Sequence, residues 1–175
     1  MSLVLKPMPN VVTDAYINGE IKPNFSLADH FKGKWGVLFF YPLDFTFVCP
    51  TELQAFADAQ DAFKKAGAEL AACSIDSAYS HKAWFTTDSK LKDVKYPVLA
   101  DMKKGIARDF GVLIEDKGFA LRGTFIVDPK GIVQYEVVAA PGLGRSTEET
   151  LRSLEALQTG EKCPANWKKG DKTLG

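Results

Sequence analysis

Long apolar runs are absent from this 175-residue sequence, and no stretch could cross a bilayer as a helix. The opening segment, Met1 to Asn10, lacks the apolar core of a secretory signal, so the expected location is cytoplasmic. An excess of one charge is missing as well. The 22 Lys and Arg balance 22 Asp and Glu, giving a formal net charge of +0 and no basic footprint for nucleic acid or an anionic membrane. Cysteine is scarce: three, an odd number without framework spacing, which argues against a secreted disulfide scaffold and for a reducing compartment. The two histidines, His30 and His81, stand at no metal-ligand spacing from a cysteine, so no zinc site is expected. The chain also has no phosphate loop, dinucleotide fingerprint, internal repeat, low-complexity segment or linker.

Hydrophobic residues make up 46% and charged residues 25%, the balance of an ordinary globular chain long enough for one sizeable core. The segment from Asn10 to Phe31 reads as turn-rich, with Asn18-Gly19 as its hairpin signal. Gly36 to Tyr41 is an almost unbroken apolar strand, followed by a helix that closes at Gly67 and a second buried strand from Ala68 to Ile75. These form a βαβ unit, which requires the two strands to run parallel. A helix beginning over Ser80 to Trp84, a strand at Tyr96 to Ala100 and a helix from Lys103 to Phe110 come next. Gly123 to Val127 and Ile132 to Val138 flank the turn Asp128-Pro129-Lys130-Gly131, predicting an antiparallel hairpin. Thr147 to Leu157 is a final amphipathic helix with Glu148 and Glu149 in its first turn. The pattern is α/β, a mixed sheet covered by helices.

The most informative stretch is Phe40-Tyr41-Pro42-Leu43-Asp44-Phe45-Thr46-Phe47-Val48-Cys49-Pro50-Thr51-Glu52-Leu53. It sets Cys49 where a strand has ended and a helix starts. Pro50 suits a first helical turn, since its missing N–H would have no helical partner there. At such a corner the helix dipole and free backbone donors favour a thiolate over a thiol. A cysteine beside Phe45, Phe47 and Val48 also fits a small buried hydrophobe, and local pattern leaves both readings open. Cys73, inside the second apolar strand, reads as buried and structural. Arg122 by itself reads as a solvated or surface-paired arginine, and Glu52 as an acidic residue favouring a helix start. Cys163 reads by itself as an exposed loop cysteine.

The order Pro42, Thr46, Cys49 resembles the active-site loop of the peroxiredoxins, the P-x-x-x-T-x-x-C pattern. The resemblance is greatest to the typical two-cysteine group that includes the bacterial alkyl hydroperoxide reductase peroxidase component. It continues through Ser74-Ile75-Asp76-Ser77 with His81-Lys82-Ala83-Trp84, then Leu121-Arg122-Gly123-Thr124-Phe125-Ile126-Val127-Asp128, and ends at Cys163-Pro164-Ala165-Asn166-Trp167. It therefore spans nearly the whole chain.

The resemblance implies a thioredoxin-like fold, with a mixed central sheet flanked by helices and an N-terminal extension. It implies a peroxidase domain over 1–160 and a C-terminal segment, 161–175, carrying a resolving cysteine. Cys49 would be the peroxidatic nucleophile, passing through a sulfenic acid. Thr46 and the helix amides would hold the peroxide, Pro42 would shield the sulfur, and Arg122 would stabilise the thiolate. Glu52 would orient an arginine, with Arg145 as a second member of that network. Cys163 would form a disulfide with Cys49 of another subunit. The implied substrates are hydrogen peroxide and organic hydroperoxides, in antioxidant defence. No bound cofactor is implied, and electrons would come from a flavoprotein reductase or a thioredoxin-like protein. A homodimer is implied, within a ring of five dimers. The Gly-Gly-Leu-Gly insertion of peroxide-sensitive members is missing from Thr86 to Lys95, and no Tyr-Phe helix follows Cys163, so resistance to overoxidation is expected. Chaperone or peroxide-sensing roles would be secondary. Two rivals are weighed. A thiol–disulfide oxidoreductase is disfavoured because Glu52 stands where a C-x-x-C pair needs cysteine. A noncatalytic holdase would keep its activity without Cys49.

Overall fold

The hairpin signal is realised at the start of the fold. In this computed structural model, which describes residues 2–175, β1 (Val12–Ile17) and β2 (Glu20–Ser26) flank Asn18 and Gly19. Their φ values of 47° and 94° are both left-handed, as a type I′ turn requires. Lys22 and Pro23 on β2 suit its place at the sheet edge. Ser26 Oγ accepts the Asp29 N–H at 3.2 Å and caps α1 (Leu27–Phe31). Asn10 to Phe31 is thus more regular than its turn-rich composition suggests. Its elements are short, and few of their residues (Ala15, Tyr16, Leu27 and Phe31 among them) are buried, so the periodic signal is weak.

β3 (Trp35–Phe40) follows, and a Cβ on Gly36 would run into the Phe31 ring, which explains glycine there. The chain continues through α2 (Cys49–Lys65), β4 (Ala68–Ser74), α3 (Ala78–Thr87), β5 (Val98–Ala100) and α4 (Gly105–Asp109). A small separate pair, β6 (Leu113–Ile114) and β7 (Phe119–Ala120), precedes β8 (Arg122–Val127) and β9 (Val133–Ala139). The main sheet has seven strands in the order β2-β1-β5-β4-β3-β8-β9. β3, β4 and β5 are mutually parallel, with α2 and α3 as crossovers, whereas β8 runs antiparallel to β3. This is the mixed sheet expected of the α/β pattern, with a second crossover added.

Both faces of β3 are covered, which is why it reads as a continuous apolar run. On one face Phe40 meets the edge of Phe125 at 5.9 Å, within a cluster that also contains Leu38, Cys73, Leu99 and Phe110. On the other, Phe39 stacks on Phe56 of α2 at 4.0 Å between ring centroids. The register then sets the site. Phe39 lies opposite Thr124, so the C-terminal end of β3 and the N-terminal end of β8 share one end of the sheet. Arg122, two residues before Thr124, is thereby brought to the corner where Cys49 sits.

Residues 2–145 form one compact unit and 146–175 a second. The second contains α5 (Thr147–Gln158), whose start is capped by Ser146 Oγ accepting the Glu149 N–H at 3.1 Å. Among the described residues no helix is long and apolar enough to cross a membrane.

Candidate active site

Cys49 is the first residue of α2, and Pro50 occupies the first turn. Val48 is the N-cap residue and offers no side-chain hydrogen bond to the helix start. The sulfur is buried, with 1% of the residue exposed. Its polar partner is Arg122, itself only 2% exposed, whose Nη1 and Nη2 each donate toward Sγ at 3.5 Å. The surface reading of that arginine fails because the β8 register carries it into the interior.

Glu52 is one helical turn beyond Cys49 and contacts both Arg122 and Arg145. It lies in the first turn of α2, and its Oε2 accepts from Arg122 Nη1 at 2.5 Å. Arg145 clasps the same carboxylate from the other side. Its backbone N–H and Nε both donate to Oε1 at 2.8 Å, and its Nη2 donates to Oε2 at 2.9 Å. Arg145 Nη1 also donates to the Gly123 carbonyl at 2.7 Å, and the guanidinium lies 5.5 Å from the centre of the Phe39 ring. Arg122 Nε is fixed in turn by the Pro141 carbonyl at 2.7 Å. Two guanidinium groups therefore surround one carboxylate, and the buried set is one negative charge short of neutral. The group facing that surplus is the Cys49 sulfur.

Thr46 and Pro42 lie on the loop between β3 and α2. The Thr46 hydroxyl donates to the Leu43 carbonyl at 2.9 Å, leaving its oxygen free to accept. Pro42 is buried. Between them Phe45 holds a left-handed φ of 57°, a conformation costly for an aromatic residue, and its ring lies 5.5 Å from that of Trp84. Beneath this loop is a polar cluster that sequence reasoning missed. Asp44 is buried and takes bonds from Tyr41, Ser80 and the His81 side. The available signal was Asp44, an acidic residue in the mainly apolar and aromatic run Phe40 to Val48; His81, between Ser80 and Lys82, gives no such signal.

The remaining cysteines differ in setting. Cys73 is fully buried in β4, and burial pushes its thiol well above the usual range, with Asp101 adding to the effect. Cys163 belongs to the second unit and is half-buried, its Sγ 3.4 Å from the Thr159 hydroxyl. All three are free thiols.

Residues 4–136 match the model of the AhpC/TSA family. The chain belongs to that family. A putative peroxiredoxin of Bacillus subtilis, YkuU, is 48% identical over 176 residues, covering 98% of this chain and 98% of the relative. Among solved structures, the reduced 2-Cys peroxiredoxin of Plasmodium vivax superposes with a TM-score of 0.92 at 39% identity, covering 99% of this chain and 93% of that one. AhpC of Enterococcus faecalis gives 0.89 at 40% identity, over 94% and 100%. The fold is thus the thioredoxin-like fold of the peroxiredoxins, and the chain is a two-cysteine peroxiredoxin close to AhpC. It is a thiol-dependent peroxidase, hence an oxidoreductase. In this peroxiredoxin the family match ends before Arg145 and Cys163, while the relatives align across both.

Proposed function

We propose that this peroxiredoxin reduces hydrogen peroxide and organic hydroperoxides at Cys49, with Cys163 of a partner subunit completing the cycle. The observation that carries this reading is the pair of Arg122 nitrogens, each 3.5 Å from the Cys49 sulfur, inside a cluster that lacks one negative charge. Burial makes such a deficit costly and the thiolate form of Cys49 the one that meets it. The thiolate attacks one peroxide oxygen in line. The O–O bond breaks, Cys49 becomes a sulfenic acid, and the departing alkoxide or hydroxide takes a proton and leaves as alcohol or water. Arg122 stabilises charge as it moves from sulfur to the leaving oxygen. The Thr46 oxygen accepts from the hydroperoxide O–H, and Pro42 keeps bulk water from the sulfur. Glu52 and Arg145 hold Arg122 in place without touching the reacting atoms.

The Cys163 thiol then attacks the sulfenic sulfur, releasing water and forming a disulfide between subunits. The peroxidase domain is taken as 1–160 and the resolving segment as 161–175. A flavoprotein reductase or a thioredoxin-like protein restores both thiols. Exposed apolar groups support assembly into a homodimer and a ring of five dimers: Val137 and Val138 on the edge strand β9, and Phe45 and Phe47 on the Cys49 loop. Antioxidant defence in the cytoplasm is the corresponding role.

Stopped-flow mixing of the prereduced protein with hydrogen peroxide and an organic hydroperoxide tests the first half. Consumption should be fast and should vanish in Cys49→Ser; consumption without thiol dependence sinks the reading. A nonreducing gel tests the second half. Peroxide should produce a covalent dimer that Cys163→Ser abolishes, and a persistent dimer would implicate another route.

A further inference from the structure

The loop that carries Thr46 leads directly into Cys49, yet the bonds holding it are concentrated at Asp44. Asp44 Oδ1 accepts from the Tyr41 hydroxyl at 2.6 Å, and Oδ2 accepts from the Ser80 hydroxyl at 2.8 Å. The Asp44 backbone N–H donates to Asp76 Oδ2 at 2.9 Å, and Asp76 Oδ2 also accepts from Ser74 Oγ at 2.7 Å. His81 Nδ1 lies 2.7 Å from Asp44 Oδ2, while His81 Nε2 lies 3.1 Å from the Leu99 carbonyl. Neither His81 nor Asp44 is solvent-accessible at the side chain, their exposures being 0% and 1%.

The donor inventory gives this arrangement an unusual property. The Leu99 carbonyl can only accept, and an ionised Asp44 can only accept. A neutral imidazole has a single N–H and cannot serve both. His81 and Asp44 must therefore hold two protons between them, either as imidazolium and carboxylate or as imidazole and carboxylic acid. The other groups facing the pair are the Tyr41 and Ser80 hydroxyls, with Asp76 behind the Asp44 backbone and the Trp84 and Phe85 rings nearby. The only ionisable acids among them are Asp76 and Tyr41, and burial beside Asp44 pushes the Tyr41 hydroxyl well above its usual range.

We propose that Asp44 and His81 are positioning residues whose buried hydrogen bond fastens the Pro42–Val48 loop to α3 and β5, holding Thr46 and Cys49 in their reactive arrangement. Neither touches the sulfur. The pair acts through the loop backbone, two residues from Thr46 and five from Cys49. Fastening the loop favours attack on peroxide, which needs the assembled pocket. It opposes disulfide formation, which needs the Cys49 sulfur to leave its buried position. The fastening consequently affects the two steps in opposite directions. This inference rests on the peroxidase reading above, but the loop's fastening can be measured without any reaction.

The test uses Asp44→Ala, Asp44→Asn and the milder Tyr41→Phe in the full chain. Asparagine can donate to a neutral His81 Nδ1 and still accept from Tyr41, so D44N should restore most of the fastening with one proton fewer on the pair. In the reduced protein, hydrogen exchange of the backbone amides over 43–48 should accelerate about 10-fold or more in D44A, less in Y41F and least in D44N. Nitrogen NMR of the His81 ring should show one protonated nitrogen in D44N and the signature of the Asp44 hydrogen bond in the parent. In kinetics, D44A should slow sulfenic acid formation about 10- to 100-fold while accelerating the disulfide step, with D44N recovering most of the loss. Equal loop exchange in all variants overturns the inference, as does D44N behaving like D44A. A parallel fall in both steps would mark a merely structural role and also overturns it. If D44A does not fold, Y41F decides: unchanged loop exchange refutes the fastening. Failure of the parent to react with peroxide defeats the peroxidase reading alone, because the exchange and NMR measurements still judge the latch.

Discussion

Replacing Arg122 by methionine tests the charge logic of the site most directly. Methionine keeps much of the arginine stem, so the packing loss at this buried position is small. What disappears is a pair of charge-assisted contacts to the Cys49 sulfur, both at 3.5 Å, the bond to Glu52 at 2.5 Å and the bond to the Pro141 carbonyl at 2.7 Å. At the low end of about 1.5 kcal/mol for each sulfur contact, the transition state loses about 3 kcal/mol. That corresponds to a rate about 150-fold lower. Glu52 is not orphaned, because Arg145 still donates three bonds to it. The stability loss should therefore stay below the roughly 3–5 kcal/mol expected when a buried charge loses all compensation. Arg122→Lys should fall between the two proteins, since one ammonium cannot reach Pro141, Glu52 and the sulfur together. Stopped-flow oxidation of the prereduced variants gives the rates, and urea unfolding checks the fold. A folded R122M within about threefold of the parent rate would refute the argument.

Phe39→Ala should lower stability by about 3–5 kcal/mol in urea unfolding, because the ring is fully buried and stacked on Phe56 at 4.0 Å. Phe39→Leu should cost much less, and F39A should also slow the peroxide reaction by removing the surface beneath Arg145. Asp128 makes a pH-dependent contribution to the β8–β9 turn. Partial burial pushes its carboxyl up, but bonds from the Ile132 N–H, the Gln134 amide and the Lys130 N–H outweigh this and hold it below the usual range. A lowered folded-state value means that the stabilisation is full above the unfolded value and is lost as pH falls through the folded one. The stability gap between the parent and Asp128→Ala, under about 1 kcal/mol after solvent screening, should be complete near about pH 6 and smaller at about pH 3. A gap that does not change with pH would count against that assignment.

Much of the sheet was legible because its signals are local. The unbroken apolar run of β3, the Asn18-Gly19 turn and the Asp128–Gly131 turn each follow from residues adjacent in the chain. The region before Lys32 was underread because its strands and its five-residue helix bury few groups each. Arg122 and Arg145 were identifiable as candidates through their family context, but nothing local distinguishes either from a surface arginine. Asp44 and His81 both fall in segments that carry the family resemblance, but nothing along the chain pairs them. Each is an ordinary polar residue until the fold brings the loop, α3 and β5 together.

That a cysteine stands at a strand-to-helix corner follows from short-range features alone: the apolar run, Pro50 and the helical spacing beyond it. What that cysteine faces depends on long-range strand pairing. Antiparallel pairing of β8 with β3 carries Arg122 across 73 positions to the sulfur, and the return of the chain at Arg145 closes on Glu52. Charge compensation in a buried site depends on distance in space, and neither distance is encoded by neighbours along the chain.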